Sequence, residues 1–593
     1  MKILGLSFFY HDSAAALVID GVPVAMAEEE RFSRKKHDSN FPKRAINFVL
    51  DYSCVKFPEL DYIVFYEKPF IKLDRIFKTS FSTFPFTPLV FAKAIKSLFL
   101  DKLWIHSLIF KETGISSEKI LFSEHHLSHA ASSFFCSPYE KAAILTVDGV
   151  GEWACTTIGI GEKNKIKIIK EIHFPHSLGL LYSVFTAFLG FEVNDGEYKV
   201  MGMAPYGKPI YIDKVRKLIN FFTDGSYALN LEYFDFYRST EQTFSKKFVS
   251  LFGKPRDPKS KFFTRNTGWP SYFGEKPKNE EYEKIAKEQE YYADIAASVQ
   301  IVLEEAVIKL AKEAYAITKC DKLCVAGGVG LNSVANWKIL QNAGFKEIFI
   351  QPASGDSGGS LGAALAIYHN ALNQPRKYIM KHGYYGAEYN NKEIEKFLKE
   401  NNIVYEKYDN EQDLLNVVAN NIIAGKVIGW FQGRFEWGPR ALGNRSIIAD
   451  ARRADMKDIV NTKIKFREPY RPFAPSVLVE YASDWFEISE AEKHYPARFM
   501  LYVVDIKKDK QKLIPAITHI DGTGRLQTVF KEENPRYWNL INNFYQKTGV
   551  PLILNTSFNL KGEPIVTSPI DAYSTFVRSG IDILVLGNYI IIK

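Results

Sequence analysis

Lys322-Leu323-Cys324-Val325-Ala326-Gly327-Gly328-Val329-Gly330-Leu331-Asn332-Ser333 reads as a short apolar strand, a glycine turn and the opening of a helix. The helix is expected over Asn332–Leu340. A second strand, Glu347–Gln351, stops at Pro352, and Gly355-Asp356-Ser357-Gly358-Gly359 leads into a helix over Ser360–His369. Strand, helix, strand, helix in that order marks an α/β layer with parallel strands. Upstream, Ala293–Thr318 has the period of a long amphipathic helix, and Ala142–Val147 is a buried strand ending on Asp148-Gly149. Ser123–Phe135 reads as a helix with Ser123 as its N-cap. At the start of the chain, Lys2–Ala27 alternates, and Asp20-Gly21 between apolar runs predicts a hairpin turn with positive φ. A polar linker over Asn370–Lys381 precedes a new α/β pattern from about Gly383. These signals set two domains, 1–375 and 376–593, with Gly253–Tyr282 as an insertion or lid over the first and no internal repeat.

At 593 residues the chain exceeds what one hydrophobic core serves, which agrees with two domains. A hydrophobic fraction of 46% and a charged fraction of 24% are those of a folded soluble protein and argue against disorder. The net charge of +8 carries no Lys/Arg block, so small anionic ligands suit it better than nucleic acid. Five cysteines without a C-x-x-C pair suggest neither a disulfide framework nor a zinc ribbon, and point to a reducing, cytoplasmic setting. The N-terminus has no signal-peptide pattern. Phe70–Phe110 mixes aromatic residues with Lys72, Arg75, Lys78 and prolines, so it reads as a packed helical insertion, with membrane contact the weaker alternative.

In Glu124-His125-His126-Leu127-Ser128-His129, His125 and His129 stand four apart, so a helix projects both imidazoles from one face toward a single ion. By itself such a pair is more often satisfied by neighbours. Asp148 and Asp356 each follow a predicted strand and precede glycines, where carboxylates enter a cleft at the carboxyl ends of a sheet. Two imidazoles and two carboxylates suit a transition metal, iron, manganese or zinc. The turns at Gly149, Gly151, Gly327, Gly328 and Gly330, with Asn332 opening a helix, let backbone amides approach a phosphate; each could also be merely a tight βα turn. His11, followed by Asp12 after the first strand, is placed to act as a general base on a hydroxyl, or to make a loop hydrogen bond. In the second domain Arg440, Arg445, Lys465 and Arg471 lie among glycine and proline turns, and Arg525 and Asn555 at loop positions, which suggests a pocket for phosphorylated or planar anions.

Taken together, His11-Asp12-Ser13-Ala14-Ala15, Glu124-His125-His126-Leu127-Ser128-His129-Ala130, Val147-Asp148-Gly149, Gly196-Glu197-Tyr198-Lys199-Val200-Met201-Gly202, Glu436-Trp437-Gly438-Pro439-Arg440-Ala441-Leu442-Gly443 and Arg471-Pro472-Phe473-Ala474-Pro475-Ser476 resemble the O-carbamoyltransferases of the nodulation-factor and aminoglycoside-antibiotic type. The resemblance covers essentially the whole chain. It implies an actin/Hsp70-like ATPase fold for the first domain, similar to the tRNA threonylcarbamoyl transferases, and a second α/β domain similar to the threonylcarbamoyl-adenylate synthases. It also implies chemistry: carbamoyl phosphate and ATP, with Mg2+, form carbamoyl adenylate in the second domain, and the first transfers the group to a small hydroxyl acceptor such as a sugar, glycan or antibiotic. His125, His129, Asp148 and Asp356 then correspond to metal ligands and His11, with Asp12, to the catalytic base. The glycine turns and Lys199 would hold the nucleotide or intermediate, and Arg440, Arg445, Lys465, Arg471, Arg525 and Asn555 carbamoyl phosphate and ATP. The alternative from another class is an actin/Hsp70-type ATPase acting as a nucleotide-switched binding protein.

Overall fold

The computed structural model describes residues 1–82, 103–239 and 241–593. Much of the predicted Phe70–Phe110 insertion, residues 83–102, lies outside the described residues; Pro69–Ser82 and Ile105–Thr113 are helical. The chain divides into two compact units, one of residues 1–29, 37–260 and 291–380, the other of 30–36, 261–290 and 381–593. Of the expected Gly253–Tyr282 insertion or lid over the first domain, residues 253–260 lie in the first unit and 261–282 belong with the second. There Phe262 packs edge-on against Tyr470 at 4.8 Å, and Tyr272 donates its hydroxyl hydrogen bond to the Arg467 carbonyl. Among the described residues no helix is long and apolar enough to cross a membrane.

The first unit holds two five-stranded sheets. In one, β1 (Lys2–Ser7), β2 (Ala14–Ile19) and β3 (Val22–Glu28) form an antiparallel meander, and β4 (Tyr62–Phe65) and β5 (Ile120–Phe122) add in parallel on the other side of β1. The predicted Asp20-Gly21 turn joins β2 to β3, with φ of 49° and 82°. In the other sheet, β6 (Lys141–Val147), β7 (Ala154–Glu162) and β8 (Lys165–His173) repeat the meander, and β9 (Lys322–Ala326) and β10 (Glu347–Phe349) add in parallel beside β6. Both sheets thus run third-second-first-fourth-fifth, with the same pattern of directions. This duplicated topology is that of the actin/Hsp70-like ATPase fold. The sequence shows no repeat because the two halves share strand order and burial, which many apolar residues satisfy equally.

Each fifth strand leads into a central helix, α1 (His125–Phe134) after β5 and, beyond α2 (Ser333–Asn342), α3 (Asp356–Leu365) after β10. The two central helices cross at Gly362, where an added Cβ would lie 1.7 Å from the Ser128 carbonyl oxygen. No rotamer relieves such a clash, because the backbone fixes where the Cβ lies and its partner is a backbone oxygen. Gly362→Ala is therefore expected to cost about 3 kcal/mol, read as a lower midpoint for the first urea transition. Helix α3 begins at Asp356 rather than at Ser360, so the carboxylate sits in the first turn. Ser123 does not cap α1. The backbone N–H of His125 instead donates to the Glu152 carboxylate at 2.9 and 3.1 Å, a charge-assisted cap supplied from the β6–β7 turn. Asn332 caps α2 through the Ala335 N–H, as its position predicts. The amphipathic helix expected from Ala293 starts at Asn279, since the charged stretch before it is also helical.

The second unit is built on a nine-stranded mixed sheet. Its strands are β11 (Glu406–Lys407), β12 (Ile428–Phe431), β13 (Arg445–Ala449), β14 (Ala474–Leu478), β15 (Tyr502–Asp505), β16 (Thr523–Val529), β17 (Leu552–Ser557), β18 (Ile583–Leu586) and β19 (Tyr589–Ile592). They are ordered β11-β19-β18-β12-β13-β17-β14-β16-β15. The turn between β12 and β13 carries Glu436, whose buried Oε1 accepts from the N–H groups of Leu442 and Asn444 at 2.8 Å and of Arg445 at 3.2 Å. Arg31 holds the other limb of the turn through the Gly438 carbonyl at 2.6 Å, which leaves Arg440 near its tip.

Candidate functional site

In the first unit, α1 supplies His125 and His129, the end of β6 supplies Asp148, and the first turn of α3 supplies Asp356. All four are buried, with one donor atom from each lying within 4.8 Å of the others. The two Nε2 atoms are 3.0 Å apart. His125 Nε2 lies 3.1 Å from Asp148 Oδ2 and 3.6 Å from Asp356 Oδ1, and His129 Nε2 lies 3.8 and 3.4 Å from the same atoms. Metal–ligand bonds of about 2.0–2.2 Å put neighbouring donors roughly 3–3.5 Å apart, so this mixed nitrogen and oxygen set fits a transition-metal ion. His125 Nδ1 faces Glu67 Oε2 at 4.0 Å, and Glu67 is itself paired with Lys72 at 3.0 Å.

The charges of the cluster are strongly coupled. Burial opposes a proton on His129, but hydrogen bonding to Asp148 and Asp356 outweighs it and pushes the imidazole up to about 9. Burial also opposes ionisation of Asp148, yet contact with His125 and His129 holds it well below the usual carboxylate range. Asp356 is lowered by the same imidazoles, against burial and the Asp148 charge. His126, between the two, is pushed down to about 3 by burial and by its imidazole neighbours. It stays neutral: Nε2 bonds the Ala154 carbonyl at 2.8 Å and Nδ1 the Thr146 hydroxyl at 2.6 Å, pinning α1 to the turn that carries Asp148.

His11 enters the same cleft from the β1–β2 turn. Its Nδ1 is 2.9 Å from Asp12 Oδ2 and its Nε2 3.9 Å from Asp356 Oδ2. The glycine turns meet at Asp148, whose Oδ1 accepts from the Gly328 N–H at 2.8 Å. Gly327 has φ of +92°, and a Cβ there would lie 2.3 Å from the Val147 carbonyl oxygen, so only glycine fits beside β6. Gly149, Gly151 and Gly330 lie in these same two turns, and Asn332 bonds Gln300 at 3.1 Å as well as capping α2. Lys199 points elsewhere, to Asp195 Oδ2 at 3.1 Å.

In the second unit the predicted cations separate into two groups. Burial, followed by repulsion from Arg440, Arg467 and Arg471, holds Arg525 well below the usual arginine range. Lys465 is lowered by burial and by Arg467 and Arg471. Five cations therefore act on one region, and Arg525 Nε has no hydrogen-bond partner among the described residues. Lys465 is itself buried and spends its ammonium on the Ser557 carbonyl and hydroxyl and on the Asn559 carbonyl and Oδ1. Arg445 and Asn555 are likewise wholly buried and used internally. Arg445 donates to the Gly433 carbonyl at 3.1 Å and stacks on Phe431 at 3.6 Å, and Asn555 donates to Ala441 O, Ser476 Oγ and Gln527 Oε1 at 3.1, 3.0 and 2.9 Å.

Residues 2–365 match the model of the carbamoyltransferase N-terminus and residues 419–593 that of the carbamoyltransferase C-terminus. The chain belongs to the carbamoyltransferase family. It is 44% identical over its whole length to uncharacterized protein sll1178 of Synechocystis, covering 96% of that protein. Nodulation protein NolNO of Sinorhizobium fredii is 38% identical over 99% of this chain and 79% of its own length. The 3'-hydroxymethylcephem-O-carbamoyltransferase of Streptomyces clavuligerus is 33% identical over 41% of the chain and 43% of that enzyme.

Three features of the candidate site in this carbamoyltransferase-family chain escape a sequence reading. Glu152 caps α1 and also accepts from the Lys68 N–H at 2.8 Å, but as a lone glutamate in a turn it carries no pattern. Arg75 reaches the Gly151 carbonyl at 2.7 Å from the helix Pro69–Ser82. His37 bonds Asp12 at 2.6 Å, and its one sequence signal is that His37-Asp38 echoes His11-Asp12.

Proposed function

We propose that the chain is an O-carbamoyltransferase that draws its carbamoyl group from carbamoyl phosphate, activates it with ATP as carbamoyl adenylate, and passes it to a hydroxyl of a small biosynthetic acceptor, a sugar, glycan or antibiotic. It would work in the cytoplasm, where both donors are available. The observation that carries the reading is the convergence of His125, His129, Asp148 and Asp356 beside His11. The cephem relative, named for carbamoyl transfer to oxygen, supports it.

In the second unit, water releases carbamate and phosphate from carbamoyl phosphate. A carbamate oxygen then bonds to the α-phosphorus of ATP and pyrophosphate leaves. Arg440, Lys465, Arg471 and Arg525 offset the phosphate charges of ATP and its Mg2+ complex, while Arg445 and Asn555 keep the surrounding turns in place. In the first unit, Gly149, Gly151, Gly327, Gly328 and Gly330 give the adenylate a close backbone approach beside Asn332. The acceptor oxygen bonds to the carbamoyl carbon, the bond from that carbon to the phosphate oxygen breaks, AMP leaves, and the acceptor proton passes to His11 Nε2. A transition ion held by His125, His129, Asp148 and Asp356, with iron first and manganese or zinc next, would offset both the adenylate phosphate and the aspartates that raise His11.

Metal uptake then has a definite pH dependence. His129 is raised, so the metal-free protein keeps a proton on it at every pH below about 9. An incoming ion displaces that proton, and apparent affinity is expected to rise with pH, approaching tenfold per unit between about pH 6.5 and 8.5. A metal titration at the two ends of that range checks it; a flat profile would mean that binding displaces no proton from His129. The function itself is tested by exchange of labelled pyrophosphate into ATP, which needs no acceptor. Exchange that depends on carbamoyl phosphate is the expected result. Its absence from folded, metal-loaded protein would overturn the carbamoyl reading and favour the nucleotide-switch alternative.

A further inference from the structure

Behind His11 runs a line of side chains that the transfer chemistry above does not use. His11 Nδ1 meets Asp12 Oδ2 at 2.9 Å, Asp12 Oδ1 meets His37 Nδ1 at 2.6 Å, His37 Nε2 meets Asp195 Oδ1 at 3.1 Å, and Asp195 Oδ2 meets Lys199 Nζ at 3.1 Å. Imidazole and carboxylate alternate, so every ring nitrogen before the cleft has an acceptor. The loops bearing the two histidines are tied by backbone bonds, Phe9 N–H to Ser39 O at 2.8 Å and Ser13 N–H to Asp38 O at 2.9 Å. Backbone strain gathers here as well. Phe9, Asp12, His37 and Asn194 are non-glycine residues with φ of 71°, 55°, 53° and 68°. Such conformations persist where the surrounding structure over-determines them, and they concentrate at functional sites.

We infer that His37, held by Asp195, is a positioning residue of the transfer reaction, acting through Asp12 to fix the His11 tautomer that offers Nε2 to the acceptor hydroxyl. The inference rests on the reading of His11 as the base. A carboxylate bonded to His11 alone can rotate and release its Nδ1–H. With His37 on its second oxygen, Asp12 has one orientation, His11 donates from Nδ1, and the lone pair stays on Nε2 toward the cleft. His37 donates from both ring nitrogens, Nδ1 to Asp12 and Nε2 to Asp195, and Lys199 holds the other oxygen of Asp195. The side chains of His11, Asp12, His37, Asp195 and Lys199 are between 14% and 32% exposed, so water can replace a lost partner and the variants should fold.

The test measures AMP release from ATP and carbamoyl phosphate with water as the hydroxyl donor, so that carbamate and AMP are the products. His37→Asn and Asp195→Asn are expected to slow it by roughly 10–100-fold, with pyrophosphate exchange as the control for an intact chain. Adding His37→Asn to His11→Asn should slow it no further than His11→Asn alone, because both act on one proton transfer. Nitrogen NMR of zinc-loaded, histidine-labelled protein provides the second readout: His11 should carry its proton on Nδ1 in the parent and a mixture of tautomers in His37→Asn. Losses that multiply, an unchanged rate, or an unchanged tautomer overturn the role of His37 while leaving His11 as the base. A His11→Asn protein that releases AMP at the parent rate overturns the base assignment, and this inference with it.

Discussion

His129→Ala is expected to leave a folded chain that binds a transition ion at least 100-fold more weakly and transfers the carbamoyl group on the order of 1,000-fold more slowly, while exchanging pyrophosphate into ATP normally. The size of the effect follows from the geometry. Its Nε2 lies within 3.8 Å of each of the other three donors, so its loss opens one whole side of the set. Losing even an outer hydrogen-bond partner of a ligand costs 10–100-fold in such sites, and a ligand costs more. Metal content per chain and the two partial reactions are measured on the same preparation. If His129 were only a buried structural histidine, the variant would lose stability but keep its metal, and that pattern would sink the assignment.

Arg525→Ala should separate function from stability in the opposite direction. The guanidinium is held well below its usual range by burial and by Arg440, Arg467 and Arg471, so its charge works against the anion-free fold. Truncation removes that repulsion. The variant is expected to melt at or above the parent temperature in phosphate-free buffer, to gain less from added phosphate or ATP, and to lose about 100–1,000-fold in pyrophosphate exchange. A clear drop in melting temperature without loss of exchange would mean that Arg525 serves packing alone. Arg445→Ala is the contrasting case, since that side chain is wholly buried and spends its donors on backbone carbonyls. It should unfold the second unit before any binding effect can be read.

The α/β class, the strand ending at Asp148, the strand Lys322–Ala326 and the Asn332 cap were all legible in the residues, because each depends on local spacing and burial that a short window carries. So was the choice of His125, His129, Asp148 and Asp356 as a set, since helical period and strand-end position were enough to aim them. Arg440, Arg445, Lys465, Arg471, Arg525 and Asn555 were named by chemical type, and type does not tell a cation set among other cations from one absorbed by carbonyls. Only the interior around each decides that, and it separates Arg525 from Arg445.

What remained hidden was whatever joins residues distant in sequence through single contacts. The duplicated sheets have one strand order, and no sequence repeat marks it. Glu152 caps a helix 27 positions upstream, and His37 meets Asp195 across 158. Thus the sequence alone determined which chemical groups the protein owns and the elements that carry them, because propensity, period and turn chemistry act locally. The tertiary structure alone decided which groups share a charge, a proton or a cap, because those interactions act across a few ångströms of space and leave no spacing in the chain.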